Sequence, residues 1–278
     1  MKITEEQRNL LDSLVCERLR DNPQNKRLVQ LFCNKRNDGI AETLRKKAWT
    51  EDCDGDIAYY VIKSSSDEVL FFFSLKCGGL HNSLNEDYFK LVCKITKILK
   101  KFSEESSCTA EKEDALLKIE KIRSGLGLSE DEILEILKKE KLEREIELEN
   151  ENITRVGFTH SGVELVHFCA NDSSKDFWSK TGMPHSLGVV VFWSKIVPLV
   201  VKVRNFIGCK FLFLFAADSS SDGRLINYYR NRLHFDVPND LGTNKPLYDI
   251  CCKFMCQETK NLEHEAQLFF NEFNVDMV

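Results

Sequence analysis

The chain has 278 residues, of which 42% are hydrophobic and 30% charged, and it carries a net charge of −5. That composition is enough for a sizeable core and is that of an ordinary water-soluble globular protein. The acidic balance, with no basic cluster interleaved with aromatics, argues against a sequence-independent nucleic-acid binder.

Residues 1–56 read as a helical region. Leu10, Leu11, Leu14, Val15 and Leu19 follow helical spacing up to the Asn22-Pro23 break. A second run holds Leu28, Val29, Leu31 and Phe32, and a third leads through Ile40 and Leu44 to Trp49, after which the acidic patch Glu51–Asp56 reads as a loop. Residues 57–81 then read as a hairpin: IAYYVIK and EVLFFFSLKC are strand-like runs separated by Ser64, Ser65, Ser66 and Asp67, with Gly78 and Gly79 ending the second. That second run is apolar almost throughout, as expected of a strand covered on both faces.

Residues 82–150 read as an acidic helical insertion. Ser103 to Glu151 hold eight Lys or Arg against sixteen Asp or Glu, which leaves +3 on the remainder of the chain. A mildly basic body suits a small anionic ligand. Ser129 and Glu132 have capping-box spacing before Ile133, Leu134, Ile136 and Leu137. The insertion reads as a helical hairpin packed on its own domain, with a dimerisation arm as the alternative.

The segment 151–278 carries the chemistry. VELVHFCAND reads as a strand, PHSLGVVVFWSKIVPLVVKVRNF as a helix led by Gly188, GCKFLFLFAAD as an apolar strand, and RLINYYRNRLHF as a helix bearing tyrosines. This β-α-β-α order builds a parallel or mixed sheet with a ligand at the strand ends. Strand alternation places Glu164 and His167 on opposite faces. The helix start at Gly188 offers unpaired amides and the positive end of a dipole to an anion, and His185 and Ser186 just before it can add donors. Pro198 removes one helical hydrogen bond and predicts a kink near the Ser194 carbonyl. The Leu187–Ala217 region is interrupted by Lys195, Lys202, Arg204 and Lys210, too often for a membrane span.

The eleven cysteines form no CxxC pair, so no structural zinc site and no other metal is expected. Without a secretory signal they read as free thiols of a cytoplasmic protein.

The 163–235 stretch resembles the GNAT superfamily of acyl-CoA-dependent N-acyltransferases, as a divergent bacterial-type member. In that family a central strand splays from its neighbour and pairs with the pantetheine arm, and a turn of pattern R/Q-x-x-G-x-G/A wraps the pyrophosphate. A tyrosine stands six residues before a phenylalanine, in a Y-x-x-x-L-G-F arrangement. Here VELVHFC matches the splayed strand, PHSLGVVVFW the turn, and Tyr229 stands six before Phe235. The chain departs from the pattern in having His185 at the Arg/Gln position, Val190 at the last Gly/Ala position and His234 before the final aromatic.

The resemblance implies a single elaborated α/β domain over 1–278, with a mixed, splayed central sheet flanked by helices and an acyl-CoA-binding portion over 151–278. It implies transfer of an acyl group, taken as acetyl, from acetyl-CoA or another acyl-CoA to a primary amine by direct attack in a ternary complex. The alternative is a catalytically silent binding or regulatory module. Cofactor contacts are expected from Phe168, Cys169, Ala170, His185, Ser186, Leu187, Gly188, Val189, Val190, Asn227 and Tyr229. An attacking amine must first lose a proton, for which Glu164 leads as base and His167 follows, while Tyr229 serves the departing thiolate. The strand amide near Phe168 or Cys169 is the natural donor to the oxyanion. Expected partners are a small-molecule or peptide amine acceptor, with no nucleic acid and no membrane, and the chain is expected to be a monomer or homodimer.

Overall fold

The computed structural model describes residues 3–82, 117, 120, 159–218, 220, 222–238, 241–243 and 252–271. The chain divides into two units, Met1–Leu80 with His160–Val278 and His81–Thr159. Beyond Asn82 the expected acidic insertion, with its Ser129–Glu132 cap, lies outside the described residues, except for Leu117 and Glu120, which are helical and exposed.

The β-branched and aromatic runs of the sequence assemble into one mixed sheet. Strands β1 (Val15–Arg18), β2 (Ala58–Lys63), β3 (Val69–Asn82), β4 (Thr159–Ala170) and β5 (Phe211–Ala216) lie side by side in chain order. The short β6 (Leu241–Gly242) pairs with β3, and β7 (Lys253–Glu258) closes the far edge against β5. β1, β2 and β3 pair antiparallel, as do β5 and β7, whereas β4 and β5 run parallel. The architecture is therefore mixed α/β, a central sheet flanked by helices, as expected from the sequence.

Helices cover both faces. Leu70, Phe71, Phe73, Val163, Leu165, Leu212 and Leu214 point to one face. They pack there against helix α1 (Glu5–Ser13) and the later helices: α5 (Ser173–Lys180), α6 (Leu187–Val191), α7 (Val197–Ile207), α8 (Arg224–Leu233) and α9 (Thr259–Asn271). The opposite face, with Tyr59, Val61, Phe72 and Cys169, is covered by α2 (Asn25–Leu28), α3 (Asp38–Lys46) and α4 (Ala48–Asp54). Farther along that face Leu80, Phe211, Phe213 and Cys256 form a third cluster.

Three local expectations are corrected. Helical spacing over 10–19 gives way after Ser13, because Val15–Arg18 pairs with Tyr60–Lys63 at the sheet edge, and sheet pairing outweighs propensity. The acidic patch is not a loop up to Asp54. Asp52 is fully buried in α4, where it meets the Arg18 guanidinium at 2.8 Å and the Arg20 amide at 3.1 Å. Gly55, at φ 84, ends that helix in the left-handed conformation that glycine adopts without strain. Gly78 and Gly79 do not end β3, which runs on to Asn82; a Cβ on Gly78 would lie 2.5 Å from the Phe213 ring, so the glycine makes room for that side chain.

Before Pro198, where a kink is expected, the helix runs through a π-helical segment, Phe192–Ile196, between α6 and α7. The widened turn accommodates a proline that cannot donate to the preceding turn, and Ser194 Oγ donates to the Val190 carbonyl at 2.7 Å.

Candidate functional site at the β4–β5 fork

The parallel ladder between β4 and β5 holds for three pairs, Gly162↔Phe211, Val163↔Leu212 and Glu164↔Phe213. Both strands continue past it, β4 to Ala170 and β5 to Ala216, and no other strand takes their facing edges among the described residues. The sheet thus opens as a fork whose base is Glu164 and Phe213. A cavity of about 1350 Å³ occupies the opening, lined by Glu164–Ala170 on one side and Leu214, Phe215, Ala217 and Asp218 on the other. Extended backbone with free edges can hydrogen-bond a polyamide chain laid between the strands.

Within the fork β4 changes phase. Val163 and Leu165 pack on the α5–α9 face, but so do Phe168 and Ala170, while Cys169 packs on the α2–α4 face. Alternation therefore slips by one residue between Leu165 and His167, as at a β-bulge. The slip corrects the expectation that Glu164 and His167 face opposite sides. His167 stacks on Tyr59 with centroids 5.5 Å apart, and Glu164 feels the charge of Lys76, which shares the α2–α4 face with Phe72 and Ser74.

His167 is held as a core histidine. Ser74 Oγ, fully buried, accepts the His167 amide at 3.2 Å and lies 2.8 Å from its Nδ1. The hydroxyl proton has no other acceptor among the described residues, so Nδ1 accepts it and Nε2 carries the ring proton. Burial lowers the imidazole to about 4, against the opposing pull of Glu51, so the ring is neutral at pH 7. Burial pushes the Glu164 carboxyl above its usual range despite Lys76, which makes it a stronger base once ionised. Cys169 is pushed up to about 12 by burial, with Asp172 adding to the effect, so it stays a thiol.

The start of α6 faces the fork. Ser186 occupies the cap position without capping the helix, because its hydroxyl pairs with Tyr228 instead. A Cβ on Gly188 would lie 2.8 Å from the Tyr228 hydroxyl and 3.3 Å from the Phe168 ring, so a larger residue there would have to displace the Tyr228 hydroxyl. Tyr229 is buried beside it, its ring centroid 5.7 Å from Tyr228, 6.4 Å from Phe168 and 6.2 Å from Phe235. Burial raises its hydroxyl well above the ordinary tyrosine range, with Tyr228 and Cys169 adding to the effect, so it remains a hydrogen-bond donor.

Of the residues singled out in the sequence, Glu164, His167, Phe168, Cys169, Ala170, Ser186, Leu187, Gly188 and Tyr229 line this one cavity. Four do not. His185 packs against Phe269 and accepts from Trp178 Nε1 through its carbonyl. Val189 and Val190 are buried in the core, and exposed Asn227 bonds to the Asp222 carbonyl at 3.3 Å.

Among the lining residues that sequence reasoning missed are Tyr228, Asp218 and Glu51. Tyr228 was passed over because counting back from Phe235 selects its neighbour. Asp218, at the end of β5, accepts from the Leu225 and Ile226 amides and from Ser220; the Ser220 hydroxyl bond contributes most to holding its carboxyl down at about 2. An Asp followed by serines before a helix is a capping signal that was legible. Glu51 lay in the patch read as a loop. Among the described residues no group of His, Cys, Asp and Glu could hold a metal, and no helix is long and apolar enough to cross a membrane.

No family model and no curated protein sequence matches the chain. Solved structures do resemble it in shape. They include a tyrosine-to-phenylalanine mutant of KacT, at 12% identity and TM-score 0.49, over 91% of this chain and 99% of that one. Another is AtaTR bound with AcCoA, at 13% identity and TM-score 0.48, over 93% and 99%. A third is AtaT complexed with acetyl-methionyl-tRNAfMet, at 12% identity and TM-score 0.45, over 92% and 99%. At such identities and scores the likeness assigns neither activity nor ligand to this chain. The expectation of a small-molecule or peptide amine acceptor with no nucleic acid is nevertheless withdrawn, because that tRNA complex and an AtaT–AtaR complex bound to DNA stand among these neighbours.

Proposed function

We propose that the chain is an acyl-CoA-dependent N-acyltransferase whose cofactor threads the β4–β5 fork. The observation that carries this reading is a parallel pair that parts after Glu164↔Phe213, with the start of α6 lining the cavity that opens there. The extended pantetheine arm, which bears two amides, matches the free strand edges. Its pyrophosphate matches the first-turn amides after Ser186, which no side chain caps.

The chemistry follows from the groups at hand. The acceptor amine gives up a proton to Glu164, directly or through water, and its nitrogen bonds to the thioester carbon. A β4 amide near Phe168 stabilises the oxyanion as the intermediate forms. The carbon–sulfur bond then breaks, and the nitrogen releases its second proton to solvent as the amide forms. Tyr229, held protonated, donates a hydrogen bond to the departing sulfur. A hydroxyl raised this far is a poor proton source for a thiolate whose conjugate acid ordinarily titrates near ~8.5, so the thiolate takes its proton from solvent.

Acetyl-CoA at a hundred times its dissociation constant should stabilise the fold by about 2.7 kcal/mol, visible as a thermal shift. An aminoacyl-tRNA pool as acceptor should release free CoA thiol. Absence of any thermal shift with acetyl-CoA, together with no thiol release, would overturn the enzyme reading and leave a non-catalytic module.

A further inference from the structure

We propose that Glu51 anchors the protonated amine of the acceptor, on the same face of the sheet as Glu164. The inference rests on the acyltransferase reading and adds to it the side from which the acceptor enters. Glu51 belongs to the helical N-terminal region, far in sequence from the fork, yet it lines the same cavity as Glu164, Phe168 and Gly188.

Its carboxylate is half committed. One oxygen accepts the hydroxyl of Tyr59 at 2.5 Å; the other has no partner among the described residues. Tyr59 is itself fully buried and stacked on His167, so the fixed oxygen is held rigidly. Asp52 pairs with Arg18 and Glu42 with Lys46, whereas among the described residues no ion pair forms to Glu51, not even from Lys47 one turn before it. The neutral ring of His167 cannot balance the charge.

A carboxylate with one oxygen fixed and one open toward a partly apolar cavity is suited to a primary ammonium group. The helix that carries it is preorganised. Asp52, the next residue, ties α4 to the Arg18 side chain and to the Arg20 and Tyr59 amides, so binding requires no ordering of the anchor. The acceptor's amine then arrives on the α3–α4 side of the sheet, and Glu164 at the base of the fork takes its proton.

The test compares Glu51→Gln with wild type in two measurements. With acetyl-CoA and an aminoacyl-tRNA pool, the variant should raise KM for the acceptor at least about tenfold while the affinity for acetyl-CoA is kept, the pattern of lost acceptor binding. Titration with n-butylammonium chloride, followed by NMR in the presence of acetyl-CoA, should show binding to wild type weakened to the same degree by Glu51→Gln. Glu51→Asp should recover part of both. If wild type transfers no acetyl group, the functional reading fails, and the butylammonium titration alone decides the anchor. An n-butylammonium affinity unchanged by Glu51→Gln, or no binding to wild type, overturns the proposal.

Discussion

Replacing Gly162 by alanine should destabilise the base of the fork. Gly162 begins the three-pair β4–β5 ladder, opposite Phe211. A Cβ there would lie 2.5 Å from Leu80 Cδ1 and 2.9 and 3.0 Å from two atoms of the Phe213 ring, and a Cβ on Gly78 of β3 would lie 2.5 Å from the same ring. Phe213 therefore lies across two glycines on adjacent strands, and with 1% exposure it has nowhere to swing. Overpacking of this kind costs about 1–3 kcal/mol. The ordinary gain of alanine over glycine within a strand offsets roughly 0.5–1 kcal/mol. A net loss of about 1.5 kcal/mol should lower Tm by about 3–5 °C in differential scanning calorimetry. Phe213→Leu shortens the obstructing side chain, so the double variant should lose less than the sum of the two single changes, with a coupling of about 1 kcal/mol. A Gly162→Ala protein as stable as wild type, or strictly additive losses, would refute the account of why glycine stands there.

Asp52→Ala should cost about 3–5 kcal/mol by leaving Arg18 and the Arg20 amide without their buried partner, measured by urea unfolding. His167 gives a pH signature. Its folded-state value is depressed from 6.5 to about 4, so the unfolded chain takes up a proton that the folded one refuses. The stability is complete above pH 6.5 and is lost as pH falls toward 4, by about 3 kcal/mol in all. Glu164, raised by burial, works in the opposite direction as pH falls, so the readout is the difference between wild type and His167→Gln, which should keep Ser74 satisfied and flatten the decline. Under the proposed function, Tyr229→Phe should lower kcat about a hundredfold with the KM for acetyl-CoA kept, whereas Tyr228→Phe should raise that KM; the reverse pattern would exchange the roles of the two tyrosines.

What the sequence made legible follows from periodicity that survives folding. The strand at 163–170 shows apolar residues broken only by Glu164 and His167, and the helix start at 187–193 and the strand at 211–216 are apolar throughout, so their order announced a mixed sheet with helices over it. The parting of β4 from β5 has no such signature, because it depends on where a ladder stops, and Glu164 and Phe213 look like any mid-strand residues. The phase slip at Val166 is equally silent, since Val-His-Phe reads as plain alternation, and only the cores on either face reveal that Glu164 and His167 share a side. Glu51 shows the same limit from the opposite direction. An acidic run looks solvated until Arg18, brought in by an edge strand that helical spacing concealed, pairs with the next carboxylate, and Glu51 beside it lines the cavity. The residues that shape this cavity were thus hidden wherever a distant strand, rather than the local pattern, decides which way a side chain points.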